Sequence, residues 1–171
     1  PEDLKKEHIR INELASRKRA KEAAKRKLEE QKRKIEEMKA HKEEYQKRLK
    51  ELLPLAFTEE GLHFTVIQSP EEMTQEGIAM HHCVAMYWNK QDSLILSCRN
   101  DDNERVETIE VNLERYNVAQ SRGHCNCDTQ YHDRILKIMN KNMDEIKRLD
   151  MKRRRRLKMP HRTTRVRSYV A

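Results

Sequence analysis

The sequence predicts an α+β protein: a long charged N-terminal helix, a small antiparallel β-meander with a capped helix before it and an amphipathic helix after it, and a disordered basic tail. Three observations carry that reading. The first 53 residues lack Gly entirely and hold no Pro between Leu4 and Leu53. The middle of the chain carries short stretches rich in β-branched residues, separated by turn formers. Helical periodicity then returns from Asp128 onward. Composition divides the chain at the same places. Residues 1–53 hold 18 basic and 12 acidic side chains, residues 54–150 hold 10 and 17, and residues 151–171 hold 9 and none. The formal net charge of +8 is therefore the remainder of a basic start, an acidic middle and a basic end.

The expected organisation follows: 1–53 a long charged helix and possible coiled coil, 54–150 an α+β core, 151–171 a basic tail. Ala, Glu, Lys, Arg, Gln and Leu, the strongest helix formers, dominate the first segment. Leu28, Ile35 and Leu49 fall on one heptad position, and Ala24, Met38, Tyr45 and Leu52 on another, with Lys42 and Gln31 interrupting the seam. Lysines and glutamates read as alternating rather than segregated, and Pro54 is expected to end the helix.

In the core, Leu62–Ile67 reads as a strand. Ser69, Pro70 and Glu72 then give an N-cap, a first-turn proline and a capping-box acid. That helix is expected to run at least to Gln75–Glu76, and its continuation past Gly77, a soft break, as far as Val84 is left open. Ser93–Arg99 and Arg105–Leu113 flank the turn cluster Asn100–Asn103. A four-residue loop would pair Arg99 with Glu104 and Leu94 with Ile109, placing Leu94, Leu96, Cys98, Ile109 and Val111 on one face and Ser97, Thr108 and Glu110 on the other. Asn117–Arg122 completes the meander in a register that pattern leaves open, with Gln120 opposite either Val111 or Glu110. Ile135, Ile138, Met139, Met143, Ile146 and Leu149 form the apolar stripe of the closing helix.

Several function classes are excluded. No apolar run approaches the ~20 residues of a membrane span, and no charged start leads into an apolar signal segment. The chain begins at Pro1 rather than Met, as a piece of a longer protein would. Its tail sets Arg153, Arg154, Arg155, Arg156, Lys158, Arg162, Arg165 and Arg167 against no acid, which suits salt-sensitive, sequence-blind contact with DNA or RNA. A protein partner for the long helix is the other binding expectation.

Reactive side chains concentrate at His81-His82-Cys83 and at Gly123-His124-Cys125-Asn126-Cys127. A zinc reading would draw on Cys83 or His82 with Cys125 and Cys127, plus His124 or His132, but the C-x-C spacing is tighter than structural zinc sites use. The alternative treats Cys83 and Cys98 as small buried apolar side chains, and no cofactor is required. Glu110 interrupts an apolar strand. It is solvated, or paired with an arginine such as Arg122, or it works with His82 in proton transfer.

Met80-His81-His82-Cys83-Val84, Leu94-Ile95-Leu96-Ser97 with Arg99, Thr108-Ile109-Glu110-Val111 and Gln120-x-Arg122-Gly123-x-x-Asn126 stand in that order. The chain thereby resembles the PcfJ-like family, through its His-Cys-Val and Ile-Glu-Val signatures, over roughly residues 55–145. The resemblance implies a protein of conjugative plasmids, other mobile genetic elements and phages, in a bacterial cytoplasm. It supplies no catalytic residue. Three functional expectations result, in this order: a nucleic-acid-associated accessory module acting through the tail; an assembly protein using the long helix; and an enzyme on nucleic acid or nucleotide, with His82, Glu110, Gln120 and Arg122 lining one pocket.

Overall fold

The computed structural model describes residues 1–159. Its elements run α1 (Glu2–Arg48), β1 (Ala56–Glu59), β2 (Leu62–Val66), α2 (Pro70–Met80), a 3₁₀ segment (Cys83–Asn89), β3 (Ser93–Arg99), β4 (Arg105–Asn112), β5 (Asn117–Arg122), a short 3₁₀ turn (His124–Asn126) and α3 (His132–Leu157). The chain divides into two units, Pro1–His41 and a second that begins at Lys42. Within the first, Leu4, Ile9, Ile11, Leu14, Leu28, Ile35 and Met38 are all exposed. No helix among the described residues is long and apolar enough to cross a membrane.

The second unit is built on one five-stranded antiparallel sheet in the order β1-β2-β3-β4-β5. The strand β1, which the sequence pattern did not mark, pairs with β2 through Phe57 opposite Phe64, whose rings stack at 4.8 Å. Alternation assigns the faces as expected, but the β3–β4 register differs from the four-residue-loop expectation. Leu94 pairs with Val111 and Leu96 with Ile109, and an irregularity at Cys98/Arg99 sets Arg99 opposite Arg105. A slip of two residues keeps each side chain on its face. Both faces of β3 and β4 are covered, so each strand is buried along nearly its whole length.

One face of the sheet, with Leu62, Phe64, Leu94, Leu96, Ile109 and Val111, shares a core with Ile135, Ile138, Met139, Met143 and Ile146 of α3. Tyr45, Leu49 and Leu52 belong to the same core, and the Tyr45 hydroxyl donates to the Ile67 carbonyl at 2.5 Å. α1 therefore ends at Arg48, six residues before Pro54, because the chain must turn there to bury Leu49 and Leu52. An acid also lies on this face. Glu107, fully buried, accepts from Ser121 Oγ and His132 Nδ1 (both 2.7 Å) and from the Thr129 hydroxyl (2.6 Å) and amide (3.2 Å).

The other face receives α2, whose start matches the sequence: Ser69 Oγ accepts from the Glu72 amide at 3.1 Å, and Glu72 reaches back to the Gln68 amide. The helix stops at Met80, with His81 in the left-handed region (φ 52°), and does not continue to Val84. Gly77 permits this arrangement. Its carbonyl accepts from the His82 amide, and a Cβ there would stand 3.0 Å from the His82 carbonyl oxygen.

The expectation of a disordered tail from residue 151 is corrected for its first seven residues, which continue α3 to Leu157. The cause is Asp150, fully buried, which accepts from Arg153 Nε at 2.6 Å, Arg154 Nε at 2.8 Å and the Tyr116 hydroxyl at 2.6 Å. Arg154 also reaches Asp92 and the Leu113 carbonyl, and Arg156 pairs with Glu51. Arg155 and Lys158 are exposed, whereas Arg162, Arg165 and Arg167 lie outside the described residues.

Two predictions follow from these buried charges. Asp150→Asn leaves the fully buried Arg153, whose Nη atoms have no partner among the described residues, without its counter-charge. Removing one member of a buried pair costs about 3–5 kcal/mol, so urea unfolding should show a loss of that order. His132 is held above its usual pKa chiefly by its hydrogen bond to Glu107. Its contribution is thus fully present below the unfolded value of about 6.5 and disappears as pH rises through the raised folded value. Urea midpoints of the wild type should accordingly decline on the alkaline side of pH 6.5, and His132→Gln should flatten that decline.

Candidate functional site

The face of the sheet beneath α2 leaves a cleft of about 260 Å³ lined by His82, Cys83, Val84, Tyr87, Ile95, Thr108, Glu110, Gln120, Arg122 and Asn126. The four residues expected to line one pocket, His82, Glu110, Gln120 and Arg122, all stand on its wall. Two features of the backbone bring them there. The irregularity at Glu110/Val111 absorbs Ala119 and sets Gln120 opposite Glu110 and Arg122 opposite Thr108. This settles the register that pattern had left open. The left-handed turn at His81 swings His82 back over β4.

His82 does not stand alone. Its Nε2 lies 3.1 Å from Thr108 Oγ1, and Thr108 donates to Glu76 Oε1 at 2.7 Å. A hydroxyl has a single proton, and that of Thr108 is on the bond to Glu76, so Thr108 can only accept from His82. Nε2 is then the protonated nitrogen of the neutral ring and Nδ1 its basic one. Glu76, nearly inaccessible to solvent, also accepts from Ser97 Oγ at 2.9 Å and pairs with Arg105 Nε at 2.7 Å. Burial lowers the His82 pKa below its ordinary value, against the opposing pull of its own carbonyl and of the Glu76 charge. The ring is neutral, and able to accept a proton, at neutral pH.

Glu110 is neither solvated nor paired with Arg122, two of its three expected states. It is largely buried, with Oε1 accepting from Lys90 Nζ and Ser93 Oγ, both at 2.8 Å, and Oε2 accepting from Gln120 Nε2 at 2.9 Å. Gln120 also bonds the Tyr87 hydroxyl at 3.0 Å, and Lys90 lies over the Tyr87 ring at 3.7 Å. Arg122 pairs instead with Asp128 at 2.6 Å, and both side chains are about half exposed. Its remaining donors are open to an anion in the cleft.

The cysteines divide differently from expectation. Cys98 is buried, its thiol pushed up to about 12 by burial and by the Glu107 and Glu76 charges. Cys83 is exposed, because the 3₁₀ segment turns Val84 inward instead, and Cys125 and Cys127 are exposed as well. His124 lies beside Cys125 at 3.2 Å and packs edge-on against His81. Among the described residues, no group of three or more His, Cys, Asp and Glu is arranged to hold a metal ion. The candidates Cys83, Cys125, Cys127 and His124 do not form a ligand set.

Comparison with known proteins adds the lineage. A family model described as PcfJ-like protein matches residues 1–136. The chain belongs to this family. The matched span contains every residue of the cleft and its supporting acid Glu76. No curated protein and no solved structure matches the chain.

Sequence reasoning missed Glu76, Thr108, Tyr87 and Lys90 in this PcfJ-like protein. A signal for the first existed: Glu76 shares the helical stripe of Met73, Gly77 and Met80, all buried, so an acid occupies an apolar phase of α2. The supporting chain yields a prediction. Glu76→Gln removes the negative charge that raises the His82 pKa, so a proton NMR titration of the His82 ring should give a value lower than in the wild type.

Proposed function

We propose that the cleft is a proton-transfer site acting on a phosphate-bearing substrate, a nucleotide or a nucleic-acid strand. The observation that carries this reading is the His82–Thr108–Glu76 chain opening beside the half-exposed Arg122 guanidinium. A neutral imidazole, oriented by a hydroxyl and a buried carboxylate, is a general base near neutral pH. A guanidinium is suited to the planar, bidentate recognition of phosphate.

In a hydrolytic step, His82 Nδ1 takes a proton from water as its oxygen bonds to phosphorus. The ester P–O bond breaks, and the departing oxygen takes a proton from solvent in the open cleft. Arg122 holds the phosphoryl oxygens. Gln120, fixed by Glu110 and Tyr87, positions the substrate, while Lys90 and Ser93 hold the Glu110 carboxylate in place.

The accessory-module reading through the basic C-terminal segment has a narrower basis. Arg153 and Arg154 are engaged inside the fold and Arg156 pairs with Glu51, which leaves Lys152, Arg155 and Lys158 as its exposed, unpaired cations among the described residues.

The test is turnover of a panel of labelled RNA and DNA oligonucleotides and nucleoside triphosphates, with products resolved by mass spectrometry. His82→Ala should lower turnover about 10²–10⁴-fold, the usual contribution of general acid–base catalysis, while substrate binding persists. Arg122→Ala should instead weaken binding of a nucleoside monophosphate, followed by chemical shifts of Gln120 and Tyr87. The rate should rise with pH through a pKa below 6.5. Turnover indifferent to His82, or no shift of cleft residues by any nucleotide, would overturn the proposal.

A further inference from the structure

The net charge of α1 conceals a local concentration. Residues 17–34 carry ten basic and three acidic side chains, whereas residues 1–16 carry three and four, and residues 35–53 carry five of each. The excess is also one-sided. At about 100° per residue, Arg17, Lys18, Lys21, Lys25, Lys27 and Lys32 fall within one half of the helix circumference. Glu22, Glu29 and Glu30 all fall within the other half, with Arg19, Arg26 and Arg33 between them. The alternation that the linear sequence suggests therefore becomes segregation once the chain is wound into a helix.

All six cations of the acid-free half are exposed, and among the described residues none of them is in an ion pair; Lys34, at the border, is matched with Glu30 at 3.3 Å. Ala20, Ala23 and Ala24 lie among or beside them, so small side chains let the helix backbone approach a partner closely.

We infer that this half of α1, over residues 17–34, is a docking surface for the backbone of double-stranded DNA. A continuous helix about 10–12 Å across matches a B-form major groove of about 12 Å. The six cations span about 24 Å of helix axis and face phosphates of fixed spacing. Two other occupants fit less well. A membrane surface would need an apolar face, and between residues 17 and 34 only Leu28 supplies a large apolar side chain. A coiled coil with a second copy would have to place Arg17, Lys21 and Gln31 on its seam. The surface lies outside the cleft, and its occupancy is independent of what the cleft does.

The experiment compares two charge-matched triple variants of the full chain on a labelled mixed-sequence DNA duplex, by fluorescence anisotropy across a salt series. One variant carries Lys18→Gln, Lys21→Gln and Lys25→Gln; the other carries Arg19→Gln, Arg26→Gln and Arg33→Gln. Losing three phosphate contacts should flatten the log affinity–log salt slope by about 2.7 and weaken low-salt binding roughly tenfold or more in the first variant. The second should retain most of both. Lys18→Arg, Lys21→Arg and Lys25→Arg together should preserve binding, and far-UV circular dichroism should show equal helicity throughout. Equal losses in both Gln variants would assign the effect to net charge and overturn the inference. So would unchanged binding in the first, preference for a single strand of equal length, face-dependent binding to anionic vesicles without duplex binding, or self-association through this face.

Discussion

A carboxylate taken out of water must find donors for its lone pairs, and Glu76 meets that constraint by joining three elements. Ser97 on β3 and Thr108 and Arg105 on β4 all converge on it. α2 is thereby fixed over the sheet not only by Met73 and Met80 but by directional bonds that tolerate no sliding. Because His82 hangs from the same Thr108 hydroxyl, the contact that seats the helix also sets the orientation and tautomer of the ring in the cleft. Glu107 plays the equivalent part on the opposite face, tying β4 to β5 and to the start of α3. Asp150 does so at the end of α3.

These three acids change the meaning of the acidic middle of the chain. Part of its negative charge is interior and structural, and part of the positive charge assigned to a tail is its counterpart. Arg153 and Arg154 answer Asp150, and Arg105 answers Glu76. The charge available to a partner is what remains: the cations on one half of α1, Arg122 at the cleft, and exposed residues such as Arg155 and Lys158.

Much of the fold was legible from period alone, since alternation fixes which face a strand residue takes even when the hairpin register is off by two, as between β3 and β4. The gathering of His82, Glu110, Gln120 and Arg122 around one cleft was legible as a set of candidates only. Their convergence depends on the irregularity at Glu110/Val111 and the left-handed turn at His81, a backbone conformation uncommon for residues other than Gly and one that sequence patterns rarely mark. β1 escaped notice because its four residues alternate too briefly to register. Glu76 and Glu107 escaped because an acid in an apolar phase reads first as an exception rather than as a buried hub, and its donors come from other elements distant in sequence.

In this structure the Glu76–Thr108 pair dictates which nitrogen of His82 carries the proton. A long-range proton–nitrogen correlation spectrum of the His82 ring, recorded at a pH where it is neutral, tests this directly. A protonated Nε2 and a bare Nδ1 are expected, with the two nitrogens interchanging or averaging in Thr108→Val. A proton on Nδ1 in the wild type, or the same tautomer in Thr108→Val, would contradict it.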